Sequence, residues 1–176
     1  MDILRCKDIP ATPWKNGGGM TQVLARQAPN WRISLASITR DGPYSIFPDT
    51  MRHQTIVQGK GIWLRGDTDQ MELPFGAGRC FRGATPVAAK LMDGPVKALN
   101  VIWDPDTTDV RVAECTKPDR HVPNSNTTFL WFALRGCFVV DRYKVDEGDA
   151  VLSTDAHMPT PDAGSRIIAV SLRKTA

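Results

Sequence analysis

The stretch HQTIVQGKGIWLRGDTDQMELPFGAGRCF, residues 53–81, shows the pattern that decides the fold of this chain. An apolar segment, a glycine turn, a second apolar segment and a polar turn follow one another, and a further glycine precedes the next strand-like segment. This spacing predicts short antiparallel strands, because glycine adopts the positive φ angles of tight hairpins. FLWFALRGCFVVDRYKVDEGDAVLSTD, residues 129–155, repeats the pattern. The sequence therefore indicates two similar halves.

Alternating apolar residues predict further strands along the rest of the chain. The candidate strands are residues 31–38, 53–57, 61–65, 86–91, 96–103, 110–114, 128–134, 137–141, 150–153 and 166–172. No segment keeps a helical period over three turns, and glycine and proline turns recur at short intervals. This succession of short strands and glycine-containing turns is typical of cupin-type jelly rolls. We predict an all-β bicupin with two small barrels, residues 1–104 and 105–176, and leave open an exchange of strands between them.

Composition excludes several classes of protein. The chain has 176 residues, 41% of them hydrophobic and 23% charged, and no apolar run approaches the length of a membrane span. Its amino terminus, MDILRCKDIPATPW, has no apolar secretory region, so we expect a cytoplasmic protein. The net charge is +3 and the 22 basic residues are scattered, which argues against nucleic-acid and membrane partners.

The sequence offers no metal or catalytic motif. Its three histidines are isolated, and no C-x-x-C pair occurs among its four cysteines. There is no G-x-S-x-G nucleophile elbow either. We predict no metal site, no cofactor and no catalytic residue. The isolated histidines are His53, His121 and His157, and the cysteines are Cys6, Cys80, Cys115 and Cys137.

The segment PWKNGGGMT, residues 13–21, admits three interpretations. A phosphate loop is disfavoured because the lysine precedes the glycines, whereas a P-loop places Gly-Lys-Ser/Thr last, before a helix. A flexible linker and a fixed turn that presents Lys15 and Asn16 remain. The segment that follows, MTQVLARQAP, we interpret as only a short apolar patch ending at Pro29.

Three motifs in order give a specific resemblance. PWKNGGGMT is followed by WRISLAS (31–37) and DGPYSIFPDTMR (41–52). The series closely resembles the HutD/Ves family, whose pattern is PWKNGGG-x-T, WR-x-S-x-A and GPFS-x-FPG-x-DR. The resemblance covers about the first 105 residues, and it includes a later stretch that ends in DLN in the family. It implies a bicupin without the usual cupin metal ligands, linked to histidine utilisation or to stress response.

The chain departs from the family pattern at acidic positions. Val23, Met51 and Ala98 stand where the family carries acids, and Asp49 replaces the glycine of the FPG turn. If those acids contacted ligand or balanced Lys15 or Arg52, this pocket is more cationic than the family's. If they were structural, apolar residues have repacked their sites.

The resemblance and the residue chemistry predict a ligand-binding site for a small anionic metabolite, such as N-formylglutamate, another acyl-amino acid or a dicarboxylate. Lys15 and Arg52 would bind carboxylates, and Asn16 an amide or formyl group. The predicted ligand-binding residues are Trp14, Lys15, Asn16, Ser45, Phe47, Arg52 and Asn100. As an alternative, Lys15 and Asn16 only cap a turn, with Asn16 in a left-handed conformation.

Three functions stay open at this point. We expect a sensor or regulator that binds the metabolite. An isomerase or hydrolase of the same fold is the alternative, although no His or Glu stands in the family-like motifs as a general base. A partner-binding protein that forms a homodimer is the third.

Overall fold

The computed structural model describes residues 1–67, 69–115, 126–155 and 158–175. The chain divides into two compact units, one formed by Pro10–Pro105 and the other by Met1–Ile9 together with Asp106–Ala176. No described segment is an α-helix, and none could cross a membrane as a helix. Each unit contains two antiparallel sheets. The all-β, cupin-like fold predicted from the sequence is thereby confirmed.

The described residues begin with β1 (Asp2–Leu4) and a single 3-10 turn (Cys6–Asp8). The strands of the Pro10–Pro105 unit are β2 (Ala11–Pro13), β3 (Gly19–Gln27), β4 (Trp31–Ile38), β5 (Gly42–Pro43), β6 (Met51–Gln58), β7 (Gly61–Arg65), β8 (Gln70–Pro74), β9 (Gly78–Arg82), β10 (Ala88–Leu91) and β11 (Val96–Trp103). They form a six-stranded sheet in the order β2-β3-β4-β11-β6-β9 and a four-stranded sheet in the order β5-β10-β7-β8.

The second unit uses β1 and the carboxy-terminal strands. These are β12 (Thr108–Cys115), β13 (Thr127–Arg135), β14 (Phe138–Val140), β15 (Tyr143–Val145), β16 (Ala150–Ser153), β17 (Thr160–Pro161) and β18 (Arg166–Lys174). Its sheets have the orders β1-β16-β13-β18-β12 and β15-β14-β17. At the amino terminus β1 pairs with β16, an arrangement that the predicted division at residue 104 left open as an exchange of strands.

The interiors of the two units differ in chemistry. The interior of the carboxy-terminal unit is an apolar cluster: Phe129, Trp131, Ala133, Phe138, Val140, Val145, Val151 and Ile167. The amino-terminal unit has a comparable cluster, to which Ile38, Tyr44, Ile56 and Leu64 belong. On β4, β6 and β11 of that unit, however, several buried positions carry polar residues instead of apolar ones. The interior of the amino-terminal barrel is thus only partly filled by apolar side chains.

The prediction that the segment after the glycines is only a short apolar patch is wrong. The segment forms the nine-residue strand β3, paired with β2 on one side and β4 on the other. Its register shifts between Val23 and Ala25, which interrupts the apolar alternation that normally identifies a strand. Its neighbours in the sheet, and not its own pattern, make this segment a strand.

Candidate functional site

A cavity of about 470 Å³ opens in the amino-terminal barrel and lies within the size range of small-molecule sites. All seven residues predicted to bind ligand line it: Trp14, Lys15, Asn16, Ser45, Phe47, Arg52 and Asn100. The other lining residues are Pro13, Thr21, Arg32, Ser34, Ala36, Pro43, Tyr44 and Ile102. Residues of β2, β3, β4, β5, β6 and β11, together with loop residues, thus converge on one concave surface.

The PWKNGGG segment is a fixed turn at this cavity. The Trp14 N–H donates to the carbonyl of Gly19 at 2.9 Å, and the Gly17 N–H donates to the carbonyl of Trp14 at 3.0 Å. The Asn16 side-chain oxygen accepts a hydrogen bond from the Gly18 N–H at 3.0 Å. The turn-capping role considered for Asn16 is therefore present, but the left-handed residue is Gly17, with φ +67°. Asn16 both stabilises the turn and lines the cavity.

Trp14 is held in the cavity wall by contacts on several sides. Its indole N–H donates to the Thr21 hydroxyl at 2.7 Å, and its ring meets Tyr44 edge-on at a centroid distance of 6.4 Å. A Cβ atom on Gly19 would lie 3.1 Å from the Trp14 ring and would overlap the Ser37 carbonyl. The third glycine of the motif is thus required for close packing of the indole.

Arg52 is the most buried charge in the cavity wall. Its side chain projects from β6 and the residue is 6% exposed. The Nε and Nη2 atoms both donate to Asn100 Oδ1, at 3.1 and 2.8 Å. The guanidinium carbon lies 4.4 Å from the Tyr44 ring centre and 5.4 Å from that of Phe81. Burial lowers the pKa of Arg52 to about 10, because a charge loses hydration there.

Arg32 is a second arginine of the cavity wall, and it was not among the predicted site residues. It lies on β4, separated from Arg52 by Ile102 in the register of the sheet. Its guanidinium carbon is 5.4 Å from the Phe47 ring centre, and its buried Nε atom has no partner among the described residues. Burial, and secondarily the charge of Arg26, lowers the pKa of Arg32. A charged residue inside the apolar strand WRISLAS is the signal that could have identified it.

The electrostatics of the cavity are strongly one-sided. Its described lining contains three cationic side chains, Lys15, Arg32 and Arg52, and no aspartate or glutamate. Lys15 is exposed at the mouth, whereas Arg52 is buried. No carboxylate of the described residues contributes to the pKa of either arginine. Such an arrangement attracts anions and offers guanidinium N–H groups to a carboxylate.

A short loop supplies the opposite wall. Ser45 is exposed and Phe47 is half-buried. The loop is anchored because the Phe47 N–H donates to the Gly83 carbonyl at 2.9 Å and the Thr50 hydroxyl donates to the Phe47 carbonyl at 2.9 Å. Asp49 has φ 57° in this loop. The family's glycine at this position is explained by that left-handed conformation, which costs a non-glycine residue energy.

None of the three apolar replacements lines the cavity. Ala98 is fully buried in the apolar cluster beside Ala36, Met51 is half-buried, and Val23 is 38% exposed. Ala98 nevertheless pairs with Ala36, which lines the cavity, and Val23 pairs with Ser34, which also lines it. Ligand contact and a structural role of the family's acids at these positions both stay predictions.

Tyr44 and Gln54 form a polar pair that sequence reasoning missed. Gln54 is fully buried on β6, and its Nε2 atom donates to the Tyr44 hydroxyl at 2.9 Å. The other amide atom, Oε1, has no partner among the described residues. Burial raises the pKa of Tyr44, so the hydroxyl stays protonated. An alternating strand pattern does not reveal such a pair, because Gln54 occupies a position that normally carries an apolar residue.

The isolated histidines stay without an assigned role. His53 lies on β6 beside Thr55, and burial lowers its pKa to about 4. His121 and His157 lie outside the described residues. No group of three or more possible metal ligands lies together in the described part of the chain.

Fold and cavity together define a bicupin with a cationic pocket in its amino-terminal barrel. The HutD family model matches residues 6–168. An uncharacterized 21.2 kDa protein of the hutC 3' region of Pseudomonas putida is 33% identical over 141 residues, which cover 76% of this chain and 74% of that protein. The protein Ves of Cronobacter sakazakii is 31% identical over 128 residues, covering 66% of this chain and 68% of that protein.

Solved structures agree with these matches. HutD from Pseudomonas fluorescens SBW25 has a TM-score of 0.89 with 27% identity, and 99% of each chain is covered. A conserved protein of unknown function from Pseudomonas aeruginosa has a TM-score of 0.85 with 25% identity over 98% of each chain. A cupin barrel protein from Leptotrichia buccalis, 13% identical with a TM-score of 0.63 over 96% of this chain and 93% of that one, supports the fold alone.

The chain belongs to the HutD family. This membership and the hutC-region relative suggest a role linked to histidine utilisation.

Proposed function

We propose that this protein binds a small anionic metabolite in the amino-terminal barrel and acts as a cytoplasmic sensor or regulator of histidine utilisation. The binding requires no metal. Family membership supports the pathway, and the chemistry of the cavity supports the charge of the ligand.

The observation that carries the proposal is the burial of Arg52 without a carboxylate partner. An arginine that is 6% exposed loses hydration, and two hydrogen bonds from one side-chain amide oxygen do not neutralise its charge. Buried charges in proteins are normally paired. An anionic ligand supplies the missing partner, and the unpartnered Nε of Arg32 provides a further donor in the same wall.

The remaining lining residues fit a carboxylate attached to a small organic body. Trp14, Tyr44 and Phe47 provide aromatic surface, while Lys15 and Asn16 provide a second charge and an amide near the mouth. Such a set accommodates N-formylglutamate, other acyl-amino acids and dicarboxylates. These compounds share a carboxylate for Arg52 and a second polar group for Lys15 or Asn16.

A thermal-shift screen with N-formyl-L-glutamate, N-acetyl-L-glutamate and glutarate tests the proposal. A compound present at 100 times its Kd stabilises the folded protein by ~2.7 kcal/mol. With any compound that binds, we expect Arg52→Ala to raise the Kd at least ~30-fold, because a buried charge pair is lost. The matched control is Arg111→Ala, at an exposed arginine of the carboxy-terminal unit. Equal affinities of the two variants would contradict the assignment of the site.

The alternative function is an isomerase or hydrolase acting on the same kind of metabolite. Binding is favoured because the described lining holds no His, Asp or Glu to transfer protons near neutral pH. Mass spectrometry of each stabilising compound after incubation separates the two functions, since conversion to a product would place the enzyme first. A homodimer stays a prediction, which light scattering after gel filtration tests.

A further inference from the structure

Gln54 and Tyr44 form a buried hydrogen-bonded pair at the wall of the cavity, and Gln54 is the donor in this pair. Gln54 occupies the same row of the sheet as Asn100, two rows away from Arg52. Its Nε2 donates to the Tyr44 hydroxyl at 2.9 Å. Tyr44 itself lines the cavity and lies against the Arg52 guanidinium at 4.4 Å. Tyr44 thus joins the buried Gln54 to the part of the cavity wall that contains Arg52.

A tyrosine hydroxyl has one proton to donate and can also accept. Here the accepting side is used by Gln54 Nε2, and no other described side chain accepts the proton. The neighbouring Arg52 carries only donors, and Asn100 Oδ1 already accepts two hydrogen bonds from it. The Tyr44 hydroxyl proton therefore has no acceptor among the described side chains, and Tyr44 lines the cavity.

We propose that Gln54 positions Tyr44 as a hydrogen-bond donor to a carboxylate oxygen of the ligand, whose other oxygen is bound by Arg52. This inference rests on the proposed function and extends it, because it assigns the anionic group of the ligand. Tyr44 makes the direct contact, and Gln54 acts through Tyr44 as a positioning residue. The site then selects a group that only accepts hydrogen bonds, which a carboxylate does and an amide or alcohol does not.

The opposite orientation of the Gln54 amide would disfavour an anion at the Tyr44 hydroxyl. With the amide turned over, Oε1 would accept the Tyr44 proton, and the hydroxyl could only accept hydrogen bonds from the cavity. An anionic oxygen beside such a hydroxyl would meet two lone pairs. Both orientations give one hydrogen bond within the pair, so the ligand decides between them. A carboxylate favours the orientation seen in the structure.

A double-mutant cycle with N-formyl-L-glutamate as the probe tests this role by isothermal titration. Tyr44→Phe keeps the ring against Arg52 and removes only the hydroxyl, and we expect its Kd to rise about 10-fold or more, as for a lost hydrogen bond to a charged group. Gln54→Leu should raise the Kd about 3-fold in the wild-type background. In the Tyr44→Phe background, Gln54→Leu should change the Kd by less than about 2-fold, because the hydroxyl through which Gln54 acts is absent.

Tyr143→Phe, at an exposed tyrosine of the carboxy-terminal unit, is the matched control and should bind like wild type. Unfolding of each variant without probe separates affinity from stability, and Gln54→Met replaces Gln54→Leu if the latter fails to fold. Wild-type affinity of Tyr44→Phe, with binding lost in Arg52→Ala, would overturn this inference and leave the proposed function intact. Additive effects of the two substitutions would overturn the role of Gln54. A wild-type protein that binds none of the anions of the screen would overturn the proposed function and this inference with it.

Discussion

Replacing Arg52 by methionine separates the contribution of this residue to binding from its effect on stability. The side chain is 6% exposed, contacts two aromatic rings and bonds to Asn100. Methionine keeps much of the length and apolar contact of the arginine and removes the charge. If the charge serves an anionic ligand, the protein without ligand should tolerate its loss.

The magnitude follows from three effects. Burial lowers the pKa of Arg52 to about 10, which corresponds to ~3 kcal/mol that the charged form costs the folded protein. The substitution removes this cost. Against it stand the Asn100 oxygen left without a donor, ~1–3 kcal/mol, and the lost cation–π contacts, ~1 kcal/mol. We expect the free energy of unfolding of Arg52→Met to lie within ~1 kcal/mol of wild type.

The double variant Arg52→Met/Asn100→Leu removes the unpaired oxygen as well. It should unfold with a free energy ~1–2 kcal/mol above wild type, because a buried polar pair is replaced by apolar side chains. Both variants should fail to bind anions that wild type binds.

Urea unfolding followed by tryptophan fluorescence, with and without ligand, measures both effects. Arg52→Lys is the control, since it keeps a charge but loses the fork of donors. A loss above ~3 kcal/mol in ligand-free Arg52→Met would refute the reasoning, because the charge would then stabilise the fold itself. Ligand binding by Arg52→Met at wild-type affinity would also refute the reasoning, because the charge would then not serve the ligand.

Three further predictions concern the surroundings of the site. Burial keeps the pKa of His53 at about 4, so the unfolded chain binds more protons between pH 4 and 6.5 and acid lowers stability. His53→Gln should remove up to ~2 kcal/mol of the loss measured by urea unfolding between pH 7 and 5; an equal loss in both proteins would contradict this. Gly19→Ala should destabilise by ~2–3 kcal/mol, chiefly through overlap with the Ser37 carbonyl, against ~1 kcal/mol for Gly17→Ala, which meets open space; the reverse order in thermal unfolding would contradict the packing. Asp49→Gly should stabilise by ~0.5 kcal/mol by relieving its positive φ, and a lower melting temperature would count against that.

Strand patterns in the sequence predicted much of the fold, because strand formation here is largely local in origin. The alternation in WRISLAS and VKALNVIW, and the glycines between apolar segments, identify β4, β11 and the hairpins. The pattern did not predict β3 because its register shift hides the alternation. It did not predict β2, β5 and β17 because a strand of two or three residues shows no period. Pairing with β16 places β1 in the carboxy-terminal sheet, which no local pattern shows.

For the site, the motifs indicated seven residues, and the structure brings all seven to one cavity. This succeeded because chemically distinctive residues stand out in a strand or a turn. Arg32 and Gln54 were missed because their importance depends on what lies opposite. The orphaned Nε of Arg32 and the bond from Gln54 to Tyr44 exist only after β4, β6 and the loop after β5 come together.

The sequence by itself thus determined the order of most strands and turns, the glycine turn and the family, since each depends on neighbours in the chain. Only the tertiary structure decided which charges are buried without partners and that Gln54 bonds to Tyr44. The physical reason is that burial and hydrogen-bond direction are properties of side chains from distant strands, Arg52 and Asn100 being 48 positions apart. The chemistry of this pocket therefore arises from the packing of the barrel.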